Sequence, residues 1–264
     1  MILLVLVPVW AAPGGRVRIC CWNLHNLFDS VDDSYADKVF SADEVESALS
    51  ARAEVIRSWN ADVVGVEEVE NRALLERLAA HVGGVKYALL VEGNDKQRGI
   101  DVGLLTRLPV VGYKTHRDDV LTGGVRYSRD CLEVHLGGKL PFVVLVNHFK
   151  SKLGNSDEKR RAQAEGVAAL VSRLGPYVAV IGDLNDGPGS WPLEPLAFLR
   201  DPFGGLTLEA RATHVHRGKP GVLDHILLTP ALYRYVVPGS AKVYRGKDVQ
   251  AASDHGALRV DLGY

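Results

Sequence analysis

Several apolar runs in this chain stop abruptly at carboxylates, amides and histidines. The stretch "VAVIGDLNDGPGS" (178–190) leads four small or branched apolar residues into Asp183, Asn185 and Asp186, then into glycine and proline. Runs of this kind bounded by Gly and Pro mark buried strands. Asp, Asn, Gly and Pro are also ordinary turn residues, so the strand can simply stop there. The pattern recurs, however. Asn23 ends "RVRICCWN", Glu68 ends "ADVVGVEE", and His148 and Lys150 end "FVVLVNHFK". Asp224 begins "DHILLT", and Asp254 and His255 precede "GALRVDL". Side chains two apart on a strand share a face. Asp183 and Asn185 therefore point one way while Leu184 turns into the core, and His148 and Lys150 do the same around Phe149. If these strands are neighbours, their ends converge on one cleft.

At 264 residues the chain can bury a substantial core. No repeat or long polar linker divides it, so a single domain over 16–264 is expected. "RVRICCWNL" reads as a first strand. Ser41 and Glu44 have capping-box spacing ahead of the apolar stripe Val45, Leu49, Ala53 and Ile56. "ADVVGVEEV" reads as a buried strand, and Leu74, Leu75 and Leu78 mark a second helix. Five shorter strand candidates follow: "YALLVE", "DVGLLTR", "VVGYK", "CLEVHL" and "PFVVLVNHF". A third helix is expected over 157–174, a short Trp/Pro-rich helix near 191–199, and strands around 222–228 and 256–263. Strands that both alternate with helices and occur in hairpin-like runs imply an α/β fold of two mixed β-sheets packed face to face with helices outside, a four-layer α/β sandwich.

The formal net charge is −1, so no global positive field draws the protein onto nucleic acid. A polyanion has to be held by a local patch or a bound cation. Of the three cysteines, Cys20 and Cys21 are adjacent and point to opposite faces, so buried free thiols are expected and no spaced pair offers a zinc site. The N-terminal "MILLVLVPVWAAPGG" has the short apolar core, small residues and Pro/Gly break of a secretory signal peptide, without a preceding Lys or Arg. It is too short to span a bilayer, and a first core strand is the competing reading. Residues 1–12 are thus expected to be a signal-peptide remnant and the protein secreted or periplasmic, with a cytoplasmic location as the alternative.

A cleft of Glu, Asp and Asn oxygens selects magnesium or manganese, with calcium also accommodated, over zinc. Such a metal polarises a phosphoryl oxygen, and histidines move protons or hold the anion. The chemistry on offer is phosphate-ester hydrolysis. Each residue also has a structural reading: Asn23 as a turn residue, Glu67, Glu68 and Glu70 as helix-dipole partners, His148 as a structural histidine, and Asp254–His255 as a cap. Lys150, Lys152, Arg160 and Arg161 would then merely solvate a loop and helix face.

The ordered set "WN", "VEE", "GIDVGLL", "NHFKSK", "GDLND", "LDHIL" and "SDHG" resembles the endonuclease/exonuclease/phosphatase superfamily over nearly the whole chain from Arg16. The resemblance implies a divalent-metal-dependent phosphoesterase. It implies metal roles for Asn23 and Glu68, with Asp254 as a direct or water-mediated ligand. Asp183 and Asn185 match the pair that orients the attacking water and contacts phosphate. His255 matches the phosphate-contacting histidine held by Asp224. His148 matches a second active-site histidine, a candidate proton donor, with Asp101 as its supporting carboxylate. Arg98, Arg129 and Lys150 are the expected phosphate contacts, Arg129 competing with an exposed-loop reading.

"LDHIL" departs from the motif of inositol polyphosphate phosphatases. The loop "HRDDVLTGGVRYSR" offers Tyr127 as its one aromatic, so membrane insertion has little support. "VNHFKSK" and "EKRRAQAE" look most like bacterial extracellular or periplasmic nucleases of the deoxyribonuclease-like branch. The expectation is a sequence-nonspecific nuclease acting on DNA or RNA, with no stable protein partner implied. A small-molecule or lipid-headgroup phosphodiesterase is the alternative. A noncatalytic scaffold would have lost Glu68, Asp183 or His255, and all are present.

Overall fold

The computed structural model describes residues 14–32, 38–152, 154 and 156–264; the expected signal segment lies outside these residues. The chain runs through β1 (Arg16–Leu27), α1 (Ala42–Trp59), β2 (Val63–Val69), α2 (Arg72–Val82), β3 (Tyr87–Leu90), β4 (Asp101–Thr106), β5 (Val110–Lys114), β6 (Cys131–Leu136), β7 (Phe142–His148), α3 (Asp157–Leu174) and β8 (Val178–Asp183). The remainder is shorter pieces: α4 (Leu208–Arg211), β9 (His214–His216), β10 (Lys219–Gly221), β11 (Asp224–Leu228), α5 (Pro230–Tyr233), β12 (Lys242–Tyr244), α6 (Lys247–Ala252) and β13 (Ala257–Gly263). Residues Trp191–Leu196 form a 3-10 helix, tighter than an α-helix because Pro192 and Pro195 lack amide donors.

Two mixed sheets form as expected, one ordered β12-β13-β1-β2-β4-β3 and the other β11-β8-β7-β6-β5. Alternation along each strand divides its residues between an inner and an outer layer. Ile19 and Cys21 of β1 meet Val144 and Val146 of β7, Ala179 and Ile181 of β8 and Ile226 of β11 in the core between the sheets. On the outer side, Cys20 and Trp22 pack with Val64 and Val66 under α1 and α2. The third cluster seats Val143, Leu145, Val178 and Val180 under Val167, Leu170 and Val171 of α3. All three cysteines are free and buried, and Cys20 and Cys21 do face opposite layers.

α1 begins at Ser41, whose hydroxyl accepts the Glu44 amide while Glu44 returns a bond to the Ser41 backbone, the reciprocal box read from the sequence. The β9–β10 hairpin and β12 were not anticipated. At three residues each they are too short to carry a periodic signal. No helix among the described residues is long and apolar enough to cross a membrane. Tyr127, the lone aromatic of the 116–129 loop, is buried.

The two central pairs, β1–β2 and β7–β8, are parallel. Parallel neighbours end side by side, and β11, running antiparallel to β8, begins at that same end. Gly182, just before Asp183, has φ 130°, and a Cβ there would lie 1.8 Å from the Asn147 carbonyl oxygen. A side chain must therefore push β7 and β8 apart. Gly182→Ala is expected to cost about 2 kcal/mol or more of unfolding free energy in urea melts. Gly112→Ala, where a Cβ meets nothing within 4 Å, should stay within about 0.5 kcal/mol of wild type.

Candidate active site

Strand register brings the first part of the site together. His148 lies opposite Asp183 across β7–β8, and Asp224 opposite Asp183 across β8–β11. The apolar residues two positions inward, Val146, Ile181 and Ile226, all belong to the inter-sheet core. The row His148–Asp183–Asp224 is therefore the polar end of that core. Leu184 and Phe149 turn to the opposite side, as alternation predicts, and are buried in the cluster beneath α3. Asn23 joins from the facing sheet and donates its amide Nδ2 to Asp183 Oδ2 at 3.1 Å.

Glu68 arrives differently. Alternation along β2 would aim it outward with Val64 and Val66. Its φ of 62° and a register shift between Glu67 and Val69 turn the carboxylate instead toward His148 Nε2, 3.9 Å from Oε1. Its Oε2 accepts the Asn26 amide at 3.0 Å and faces Arg98 Nη2 at 3.4 Å. A matching irregularity in β1 sets His25 and Asn26 at φ 53° and 55°. Buried Arg52 holds that kink by donating to the Leu24 carbonyl at 2.6 and 2.9 Å and to that of His25 at 3.1 Å. Asn185, also at positive φ, donates its backbone amide to Asp183 Oδ1 (2.9 Å) and its side-chain amide to the Phe149 carbonyl (3.0 Å).

His255 donates from Nδ1 to Asp224 Oδ2 at 2.8 Å, which leaves Nε2 3.9 Å from Asp183 Oδ2. Ser253 fixes the loop: its hydroxyl donates to the Asn23 carbonyl and accepts the His255 amide. Trp22 Nε1 donates to the His255 carbonyl. Burial opposes charge on His255, but Asp224, Asp183 and Asp254 outweigh it and hold its pKa well above the ordinary value. Burial and neighbouring Asp224 push the Asp183 carboxyl up to about 7. Burial, Arg129, His255, Arg98 and Lys150 all push His148 well down. His148 thus stands neutral near pH 7, a state suited to hydrogen bonding rather than to giving up an imidazolium proton.

The remaining sequence-derived residues fall around this centre. Arg129 is fully buried, not in an exposed loop; Nη2 pairs with Asp95 Oδ2 at 2.7 Å and Nη1 faces the Phe149 carbonyl. Arg98 donates to Asn26 as well as facing Glu68. Lys150 follows His148, with its backbone amide bonded to Gln163 Oε1. Asp101 is buried and accepts the Gly93 amide at 2.7 Å, while His148 Nδ1 has no hydrogen-bond partner among the described residues. The pairing of these two is therefore not formed here. Asp254 is half-exposed and turns to His25 Nδ1 (3.2 Å) and His214 Nε2 (3.8 Å). Arg160 overturns the solvated reading at its own position: it is buried, donating to Asp186, the Lys150 carbonyl, Ser156 and Asp157.

Sequence reasoning missed Asn26, Arg52, Asp95 and Asp186, which act by holding the named residues. Asp186 was visible in "GDLND" but read as a turn. Arg52 carried no signal, since a lone arginine on an amphipathic helix reads as solvent-facing.

Four buried acids, Glu67, Glu68, Asp183 and Asp224, share this end of the core. Burial raises the Asp183 pKa most, and repulsion from Asp224 and Glu68 adds to it. Carboxylate and amide oxygens carrying surplus buried charge fit a hard divalent cation.

The sequence profile of the Endonuclease/Exonuclease/phosphatase family matches residues 21–255. Among solved structures, the human nocturnin catalytic domain with bound sulfate is similar at a TM-score of 0.69 and 17% identity, over 93% of each chain. Humanized D. rerio TDP2 gives 0.67 and 18%, over 94% of this chain and 99% of that one. The Bacteroides thetaiotaomicron mannosyl-6-phosphatase gives 0.65 and 16%, over 94% and 100%. No curated protein matches the sequence. The structural neighbours carry the fold, and the profile spans most of the chain: this protein belongs to the Endonuclease/Exonuclease/phosphatase family, whose members are metal-dependent phosphoesterases.

Proposed function

We propose that the chain is a sequence-nonspecific nuclease that hydrolyses phosphodiester bonds of DNA, with RNA as a second substrate, by in-line attack of water. The observation that carries this reading is the division of charge around one row of side chains. Acids gather about Asp183, while Arg98, from the turn before β4, and Lys150, just beyond the end of β7, both bear on His148. A phosphodiester strand needs cations along its path and acids at the bond that breaks.

Glu68 and Asn23 would hold the metal; Asp254, turned toward His25 and His214, is left out of the inner set. Magnesium or manganese, when bound there, supplies charge neutralisation at the departing oxygen. Asp183 orients the water and accepts its proton. Its attachment to Asn23 and to the Asn185 amide fixes which lone pair faces the cleft. His255, kept cationic by Asp224, binds a phosphoryl oxygen through Nε2, and neutral His148 donates a second hydrogen bond. Arg129 neutralises from beneath and positions the Phe149 carbonyl that also receives Asn185.

The similarity to a mannosyl-6-phosphatase gives a phosphorylated small molecule as the competing substrate class. Supercoiled plasmid, single-stranded RNA and bis-p-nitrophenyl phosphate, each with magnesium, manganese or EDTA, separate the two. Plasmid nicking abolished by EDTA is expected, and cleavage of the small diester alone would assign the site to the other class. Asp183→Ala and His255→Ala should each lower kcat by on the order of 10³-fold with far-UV circular dichroism unchanged.

The Asp224–His255 pair also fixes a pH response. Activity that needs imidazolium is lost as pH rises through the His255 pKa, which Asp224 holds high. Asp224→Asn removes that support, so the alkaline limb of the kcat/KM profile should move to lower pH by about one unit or more. A limb that stays in place would show that another group titrates there.

A further inference from the structure

The β9–β10 hairpin borders the catalytic row and takes no part in the mechanism. Between Glu209 and Asp224 the chain carries Arg211, His214, His216, Arg217 and Lys219 and no acid, in a protein whose formal net charge is −1. The root of the hairpin is fixed to the catalytic pair. His214 forms an antiparallel bridge with His255, and the Thr213 carbonyl accepts the Gly256 amide at 2.6 Å. The buried Thr213 hydroxyl accepts the amides of Leu223 and Asp224 at 3.1 and 3.2 Å. Beyond that root, residues 215–219 are all exposed, so the described residues leave both faces of the ribbon uncovered. A two-stranded ribbon has little stability of its own, and this one gains none from burial.

Pleating decides which side chains face the site. Residues paired across an antiparallel ladder share a face, as do residues two apart along a strand. His214 therefore lies on the side of His255, its ring 5.0 Å away, and His216 stacks on His214 at 6.4 Å. Lys219, paired with His216, falls on that same face, while Val215 and Pro220 turn to the other. Arg217 and Gly218 close the turn with φ 50° and 75°. Two-residue turns with both residues at positive φ favour Asn-Gly, so an arginine there occupies a conformation rare for its type. Arg211 is committed to Asp201. Arg217 and Lys219 make no ion pair or side-chain hydrogen bond among the described residues.

We propose that this hairpin is a second phosphate-binding site, which holds the backbone of a polynucleotide beside the scissile position through Arg217, Lys219 and the His216 ring. The site rests on the nuclease reading and deepens it, because it gives the enzyme a contact that a small phosphate ester lacks. Charge complementarity selects the ligand. Two uncommitted cations and an imidazole suit phosphate oxygens, and that face offers no apolar side chain on which a base could be read. Asp254, 3.8 Å from His214, balances charge at the root, so the surplus lies toward the tip. Contact with the backbone alone holds any sequence equally.

The test is fluorescence anisotropy of a labelled DNA duplex with the EDTA-treated chain over a range of potassium chloride concentrations, so that binding is read without cleavage. Arg217→Asn with Lys219→Gln removes both cations and leaves a residue that the turn favours. Loss of two phosphate contacts should weaken binding and flatten the plot of log affinity against log salt by about two units. The charge-keeping pair Arg217→Lys with Lys219→Arg should restore most of the slope. Lys139→Gln with Arg173→Gln removes equal charge near the start of β7 and the end of α3, away from His148, and should leave the slope as in wild type. With magnesium present, kcat/KM for plasmid should fall in the Arg217→Asn/Lys219→Gln protein relative to that for bis-p-nitrophenyl phosphate. Wild-type binding whose slope is unchanged in that protein, or equal loss in the Lys139/Arg173 control, would overturn the hairpin site and leave the nuclease reading standing. A wild-type chain that hydrolyses the small diester but neither binds nor cuts DNA would overturn both.

Discussion

The site depends on a backbone conformation at Glu68 that an L-amino acid rarely adopts. A regular β2 would send this carboxylate outward, under α1 and α2, where a charge has no partner. Held at φ 62°, it crosses to the inter-sheet side and meets His148 of the opposite sheet. Each such residue costs on the order of 1–3 kcal/mol, and such strain persists only where the surroundings over-determine it. Four of the six non-glycine residues with positive φ among those described are His25, Asn26, Glu68 and Asn185, all lining this cleft. Arg52 on the carbonyls of Leu24 and His25, the Asn26 amide on Glu68 and the Asn185 amide on Asp183 are the bonds that hold them.

Everything else about the site follows from the sandwich. Two facing sheets with parallel central pairs end at the same level, so the inner-facing residue at each strand end leaves the apolar core and enters a shared polar pocket. The pocket is dry enough to move pKa values. Asp183 rises, His148 falls, and His255 alone keeps its charge because Asp224 is hydrogen-bonded to it. One acid–imidazolium pair and one neutral imidazole thus stand on either side of Asp183. That asymmetry gives the two histidines different tasks although both are buried.

Much of this was legible in the sequence. Alternation put Asp183 on the face opposite Leu184 and His148 on the face opposite Phe149. The Ser41–Glu44 box located α1 to the residue. The ordered motifs supplied Asp224 and His255, which no periodicity could join across thirty-one positions. Other features were not legible, for physical reasons. A bulge has no side-chain signature when its positive-φ residue is Glu rather than Gly, so alternation misplaces Glu68. Charge runs do not declare burial, so Arg160 read as part of a solvated face, and Arg129 read equally well as a phosphate contact or an exposed-loop arginine. Three-residue strands lack a period, which hid the β9–β10 hairpin and with it His214.

The most direct test of this account is anomalous diffraction from crystals soaked in manganese. A manganese peak within bonding distance of a Glu68 carboxylate oxygen, beside Asn23 and Asp183, is the predicted result. A well-ordered crystal showing Glu68 turned outward beneath the helices, or manganese bound only elsewhere, would contradict it.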